Sequence, residues 1–389
     1  MLNLIPKHHP HLRRRTVRRR RKVIIWVVSS VVATYLLASA AVFFAVKYHI
    51  TDVAGTVDPN TQEYNDVAAA QSIGVTSAQL PVVLDKNVAE LQARKDAADC
   101  RIDALGRLWP STAARIIHAR QDGASIDVLE RMLFAAKIRL SPDSPVLSVW
   151  DACGDTTTSV TMPASNQNTA DLFPWANTPE WDTVQAAFRK DAPTILRASK
   201  VTGVPARLIV SAAMVEQLRL YFTEREIFEK IFQPLKILGS ATQFAWGVMA
   251  IKEAAATDIE QHLSDAHSPW YLGSSYAHLL DYGSGVDPKT ERFNRLTNEH
   301  DHYYSYVYGA LELKQFMAQW QRGGFPIHDR PEILATLFNI GFGKSRPSNH
   351  PAVGGSTLTI ANAQYTFGGL AYEWYYSGTL TDVFPYPTQ

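Results

Sequence analysis

Apolar positions fall into three patterns along the chain. The first is a block: Val23 to Val46 contains no charged residue, no Gly and no Pro. That run is long enough to cross a bilayer as a helix. The second pattern recurs at helical spacing. Leu91, Leu105, Leu108, Ile116 and Ile117 predict helix within 86–140, with Ser125-Ile126-Asp127 starting a helix that carries Leu129, Met132, Leu133 and Ile138. Thr178-Pro179-Glu180 combines an N-cap residue, a first-turn Pro and an early acid, so a helix starts there. Gly203 ends that helix, and Pro205 opens the next, through Leu208, Ile209, Ala212, Ala213 and Val215. Further helices are expected near 224–233, 243–262, 269–282, 303–321 and 331–339. In the 303–321 helix, Tyr303, Val307, Ala310, Leu311, Leu313 and Met317 make a buried face. The third pattern is alternation: Thr357-Leu358-Thr359-Ile360, after Gly354-Gly355, predicts one short strand or hairpin. The fold class read from this is mainly α.

The same patterns divide the chain. Residues 1–22 form a basic tail and 23–46 a transmembrane helix. Residues 47–85 read as a tether, 86–153 as a small helical segment, 154–175 as a linker and 176–389 as the main helical body. The linker assignment rests on Gly154 to Ala170, rich in Thr, Ser and Asn with no apolar pattern.

Charge sharpens the N-terminal reading. Nine of the 38 Lys and Arg lie in residues 1–22, which hold no Asp or Glu. The remaining chain carries 29 basic against 37 acidic residues, a net of −8. A mildly acidic body argues against nucleic-acid binding, which needs a basic face. Positive charge ahead of an apolar span keeps the N-terminus cytoplasmic. A single-pass inner-membrane protein with its body in the periplasm or outside the cell is therefore expected. The competing reading is a cleaved signal peptide ending near Ala38-Ser39-Ala40, although its apolar region is long for that role. Cys100 and Cys153, the two cysteines, both fall on the exported side, where a lone pair is a disulfide candidate. Two buried free thiols are the alternative.

The most informative polar residue is Glu216. It follows eight uncharged residues, Leu208 to Val215, and on a helix it shares one face with Ile209, Ala212 and Ala213. Burial disfavours the charged form of a carboxyl. A carboxylic acid that keeps its proton near neutral pH can give it to a glycosidic oxygen. The structural alternative is a Glu paired with Arg219, Arg225 or another base.

Three ordered segments extend this reading. Gly203-Val204-Pro205 leads into the helix ending Ala213-Met214-Val215-Glu216. Trp246-Gly247-Val248-Met249-Ala250-Ile251 follows, and then Ile333 to Gly343, with Phe338-Asn339-Ile340-Gly341 at its turn. Together with Tyr308-Gly309-Ala310-Leu311, these segments resemble the lysozyme-like soluble lytic transglycosylase family over residues 180–350. The resemblance implies a lysozyme-like helical domain that cleaves peptidoglycan glycan strands. It implies Glu216 as the single acid and base, and the sugar's own 6-hydroxyl as nucleophile. It also places Gln217, Gly247, Val248, Met249, Phe338 and Asn339 along the substrate. The chain departs from the family pattern at Gln217, Ala250 and Phe338, and in a longer gap after Glu216 with a charged insert near Thr223 to Lys236. These departures leave open a non-catalytic glycan-binding or scaffold role. Asn339 reads equally as a helix C-cap.

Other chemistry is thinly represented. No second acid stands out in a comparably apolar run. Glu224, Glu226 and Glu229 read as a solvated face of the insert, and Asp301 is the spare acid for a lysozyme-type hydrolase. Glu299-His300-Asp301-His302 has ligand residue types, but successive positions point different ways on a helix, so no metal and no cofactor is expected. The aromatic tail from Tyr365 to Tyr376 suits either a sugar-stacking groove or a packed core. No protein partner is legible.

Overall fold

The computed structural model describes residues 22–35, 37, 55–71, 80–154, 160–166, 168–222 and 245–387. The chain divides into two units, Met1–Val53 and Ala54–Gln389. In the first, residues 22–35 are helical (α1) with exposed side chains. The basic run before Lys22 and most of the expected span beyond Tyr35 lie outside the described residues. Among the described residues, no helix is long and apolar enough to cross a membrane.

The described part of the second unit is mainly helical, with three short two-stranded antiparallel ladders. β1 (Thr56–Val57) pairs with β4 (Gly354–Gly355), and α2 (Thr61–Gln71) follows it. The 47–85 stretch thus contains a strand and a helix where a tether is expected. The polar sequence hides its anchors. Asp58 accepts from the Thr366 hydroxyl at 2.5 Å, and Tyr64, 2% exposed, packs on Phe134 and Tyr372. The helices α3 (Leu80–Leu108), α4 (Pro110–Gln121), α5 (Ile126–Lys137) and α6 (Pro145–Trp150) belong to this same unit. The 86–153 segment is therefore packed into the body rather than separate from it. Ser125 caps α5 by accepting from Val128 N–H, and the buried face of α5 carries Leu129, Met132, Leu133 and Ala136. Arg131, on that helix, donates to the Asp329 carboxylate and the Tyr376 hydroxyl.

Cys100 on α3 and Cys153 just past α6 are joined in a disulfide with Cα atoms 5.6 Å apart. The segment read as a linker has no regular element over residues 160–166, and it is fastened by Asn168 N–H to Leu108 C=O at 2.8 Å.

α7 (Pro179–Thr202) starts where expected. The Thr178 hydroxyl accepts from Trp181 N–H at 3.2 Å, and Gly203 closes the helix in the left-handed region at φ 69°. α8 (Ala206–Phe222) then runs through the centre, buried from Arg207 to Glu216. Its first turn is fastened by Arg207, which donates to the carbonyls of Tyr375, Thr379 and Phe384.

The expected helix at 243–262 begins only at Glu253. β2 (Ala245–Trp246) and β3 (Ile251–Lys252) form a tight ladder before α9 (Glu253–Ser264). The positive φ of Gly247 (68°) and Ala250 (50°) turns the chain between these strands. No helix forms over 269–282. Single-turn bonds such as Tyr276 N–H to Gly273 C=O replace it, and Gly273, at φ 98°, interrupts the helical pattern. The expected helix at 224–233 lies outside the described residues.

α10 (Pro288–Leu296), α11 (Tyr303–Arg322) and α12 (Pro331–Ile340) follow, the last two close to their expected bounds. β5 (Thr357–Ile360) and β6 (Ala363–Thr366) form the expected hairpin. α13 (Phe367–Tyr376) is buried along its whole length. The aromatic tail is thus core. Glu373 on α13 is held by Arg139 and by the Trp175 indole at 2.8 Å.

The 53-residue separation of the two cysteines predicts the effect of removing the bridge. Chain-entropy arithmetic for such a loop gives about 4 kcal/mol. A Cys100→Ser/Cys153→Ser variant should lose about 2–4 kcal/mol in urea unfolding. Denatured wild-type chain without reductant should show no free thiol.

Candidate functional site

Glu216 lies in the last two turns of α8 and is 3% exposed. Three residues before it, Ala213 has no exposure at all, so the carboxyl is enclosed by the apolar stripe that carries it. Its direct partner is Arg219, one turn further on the same helix. The structure therefore contains the ion pair that a structural reading of Glu216 calls for. Arg219 also reaches outward. Nη1 stands 3.5 Å from the Ser356 hydroxyl, and the guanidinium lies 5.8 Å from the Phe367 ring centre.

Two flanks close around this pair. On one, Gln217 Nε2 donates to Val248 C=O at 2.7 Å, which fixes the Gly247–Met249 turn beside α8. Met249 is wholly buried, and its N–H donates to the Ser305 hydroxyl of α11 at 3.2 Å. Gly247 is required there. A Cβ on it would stand 2.2 Å from the Leu296 carbonyl oxygen, and its φ already favours glycine. On the other flank, Asn339 Oδ1 accepts from Ser356 N–H at 2.8 Å. Asn339 therefore ties α12 to the β4–β5 bend. It is not the helix C-cap, since Gly341 takes that position with φ 83°. Phe338 is buried and stacks on Phe367 at 6.5 Å, so its ring is part of the core beneath Arg219.

The residues expected around the acid are thus connected to it through two short chains of contacts. Gln217, Val248, Met249 and Ser305 form one. Arg219, Ser356 and Asn339 form the other. Asp301 is not part of this set. It is exposed, bonded to Arg197 and to the N–H of Tyr303. Glu224, Arg225, Glu226 and Glu229 lie outside the described residues. Among the described residues, no group of three or more His, Cys, Asp or Glu is placed to hold a metal ion. A cleft of about 550 Å³ lies elsewhere, lined by residues including Arg115, His118, Asp171, Gln185, Thr379 and Asp382. It contains none of the expected site residues.

The structure adds one residue that pattern reading passed over. Glu312 on α11 is 2% exposed. Burial pushes its carboxyl well above the usual range, and the charge of Glu216 pushes the same way. Asp258 adds to this, and Lys252 opposes it. A signal was present: Glu312 is a lone charge between Leu311 and Leu313, at helical spacing from Ser305 and Gly309.

No protein-family model, curated protein or solved structure gives a significant match to this chain.

The turn beside Glu216 makes a checkable claim about rigidity. Gly247→Ala should cost on the order of 3 kcal/mol in thermal or urea unfolding, because strain and overlap combine. Gly123→Ala makes the control. Its φ is also positive (88°), but nothing lies within 4 Å of the added Cβ. It should cost about 1 kcal/mol.

Proposed function

We propose that this chain is a membrane-anchored peptidoglycan lytic transglycosylase. It would cut the glycan strand between N-acetylmuramic acid and N-acetylglucosamine, with Glu216 as acid and then base. The observation that carries this reading is the enclosure of Glu216 at the end of an apolar helix. Gln217–Val248 fastens one side and Arg219–Ser356–Asn339 the other. That arrangement gives a carboxyl a fixed position and a dry surrounding, the two conditions for general acid catalysis on a glycosidic oxygen.

In the reaction, Glu216 gives its proton to the leaving oxygen as the bond from that oxygen to C1 breaks. The bond's electron pair stays with the leaving oxygen. The 6-hydroxyl oxygen of the same sugar then bonds to C1, and its proton returns to Glu216. The product is a 1,6-anhydro end, and no water is consumed. Glycan must part Arg219 from Glu216 before the first step, so that the carboxyl faces the leaving oxygen. The main chain at Met249 and the amide of Asn339 are the groups that orient the acid or an N-acetyl substituent. The anchor is the apolar stretch from Val23, with the basic tail on the cytoplasmic side. The lysozyme-like fold is part of this proposal, resting on the order of the three resembling segments.

The Glu216–Arg219 ion pair favours a second reading, a non-catalytic glycan-binding or scaffold component of the cell envelope. One experiment separates the two. Full-length chain in detergent is incubated with purified sacculi, and released fragments are weighed by mass spectrometry. The transglycosylase reading predicts anhydro-ended muropeptides, with release reduced on the order of 10³-fold by Glu216→Gln. Reducing ends carrying water would replace it with a lysozyme-type hydrolase. Retention on sacculi without any release would leave the scaffold reading.

A further inference from the structure

The cleft of about 550 Å³ away from Glu216 lies between α4, the segment ahead of α7, the start of α7 and the loop after α13. Its volume is within the range of roughly 300–1,000 Å³ that small-ligand sites occupy. Arg115 on α4 ties these walls together. It grips both carboxylate oxygens of Asp171, at 2.6 and 3.0 Å, and its Nε donates to Ser377 C=O at 2.8 Å. The loop then passes so close to α4 that a Cβ on Gly378 would stand 2.8 Å from Arg115 Cβ. Leu380, two residues on, is 4% exposed and has φ 56°. Four non-glycine residues among the described ones have positive φ. Ala361 and Asn362 form the tip of the β5–β6 hairpin, where that conformation is ordinary. The other two are Ala250, in the turn beside Glu216, and Leu380, in the wall of this cleft. Such strain gathers at functional sites.

We propose that this cleft is a second saccharide site, which holds a short length of glycan strand away from Glu216. The glycan strand as the source of the saccharide rests on the glycan-cleaving reading above. The charges of the lining are largely spent on one another. Asp171 is paired with Arg115, Asp382 with Arg189 and His118 with Asp122. What faces a ligand is therefore a set of fixed donors and acceptors with little net field. Among the described residues, neither the Asp182 carboxylate nor the Gln185 amide has a hydrogen-bond partner. They stand at i and i+3 on α7, and the loop adds the Thr379 and Thr381 hydroxyls. An ammonium group only donates and a phosphate dianion only accepts, so either satisfies part of this lining. Sugar hydroxyls do both, and they match carboxylate, amide and hydroxyl alike. Trp181 lines the cleft but is 3% exposed, so hydrogen bonds rather than ring stacking do the holding.

The cleft is anchored to the helix that carries the acid. Arg207, in the first turn of α8, donates to Thr379 C=O of the cleft loop at 2.9 Å. Glu216 lies nine residues further along the same helix. That is about 14 Å of helix rise. The two sites thus have separate linings and one rigid connection, so a strand gripped at the cleft is held at a fixed place relative to α8.

The test uses the full-length Glu216→Gln chain in detergent, so that the probe stays intact, and follows amide hydrogen exchange peptide by peptide. Chitotetraose should slow exchange in peptides covering 378–382 and 182–186 about threefold or more. Peptides covering 247–249 and 339–341 report separately on sugar beside position 216. Asp182 is exposed and Gln185 half-buried, so both can be replaced without opening the core. Adding Asp182→Ala and Gln185→Ala should raise the chitotetraose concentration needed for protection of 378–382 about tenfold. A far-ultraviolet circular dichroism spectrum unchanged by the two substitutions shows that the variant is folded. Absence of protection at 378–382, or protection that the two substitutions leave unchanged, overturns the proposal. Protection there by glycyl-lysine or inorganic phosphate in place of chitotetraose overturns it as well, because the ligand class is then wrong. Protection of the cleft by chitotetraose, with no fragment released from sacculi by wild type, fails the glycan-cleaving reading and leaves the saccharide site standing. Release that depends on Glu216, without protection of the cleft, does the reverse.

Discussion

The ion pair between Glu216 and Arg219 places a charge in a helix that is apolar almost to its end. Such a pair is costly to desolvate, and removing one partner leaves an uncompensated buried charge worth about 3–5 kcal/mol. It is also the hub of its surroundings. Arg219 turns from Glu216 toward Ser356 and lies over Phe367, and Ser356 is in turn bonded to Asn339. The helix α8, the β4–β5 bend and the start of α13 meet at this one guanidinium, and the end of α12 joins them through Ser356.

The rest of the body keeps α8 from adjusting. Its first turn is fixed by Arg207, buried and bonded to four carbonyls of the C-terminal segment. Its last turns are fixed by Gln217 and Arg219. A helix held at both ends presents its acid in one place. Beneath it, the aromatic α13 fills the core, joined to α5 by Arg131 and to the segment before α7 by Trp175. The disulfide-bonded helices at the N-terminal side therefore belong to the support of the site rather than to a separate module.

Local signals were sufficient where one residue dictates the backbone. Thr178-Pro179, Gly203 and Ser125 each mark a helix end that the structure places at the same residue. They failed where distant contacts decide. The stretch around Asp58 and Tyr64 looks like a polar tether because its partners, Thr366 and Tyr372, are some 300 residues away. Helical periodicity over 269–282 gave way to turns that only the local glycine conformation reveals. At the site, Glu216 was legible because a lone charge ends an apolar run. Glu312 carries a similar signal and was passed over because α11 also carries Lys314 and Gln315 nearby, which dilute the pattern. Its burial is a property of packing between helices.

The central claim is that the Glu216 carboxyl meets a glycosidic oxygen once Arg219 moves aside. The most direct measurement is a crystal structure of the Glu216→Gln chain with a bound peptidoglycan tetrasaccharide. The account predicts the side-chain amide at position 216 within hydrogen-bond distance of the bridging oxygen, and Arg219 turned away from it toward Ser356. Sugar bound elsewhere on the body, with Arg219 still lying against position 216, would contradict it.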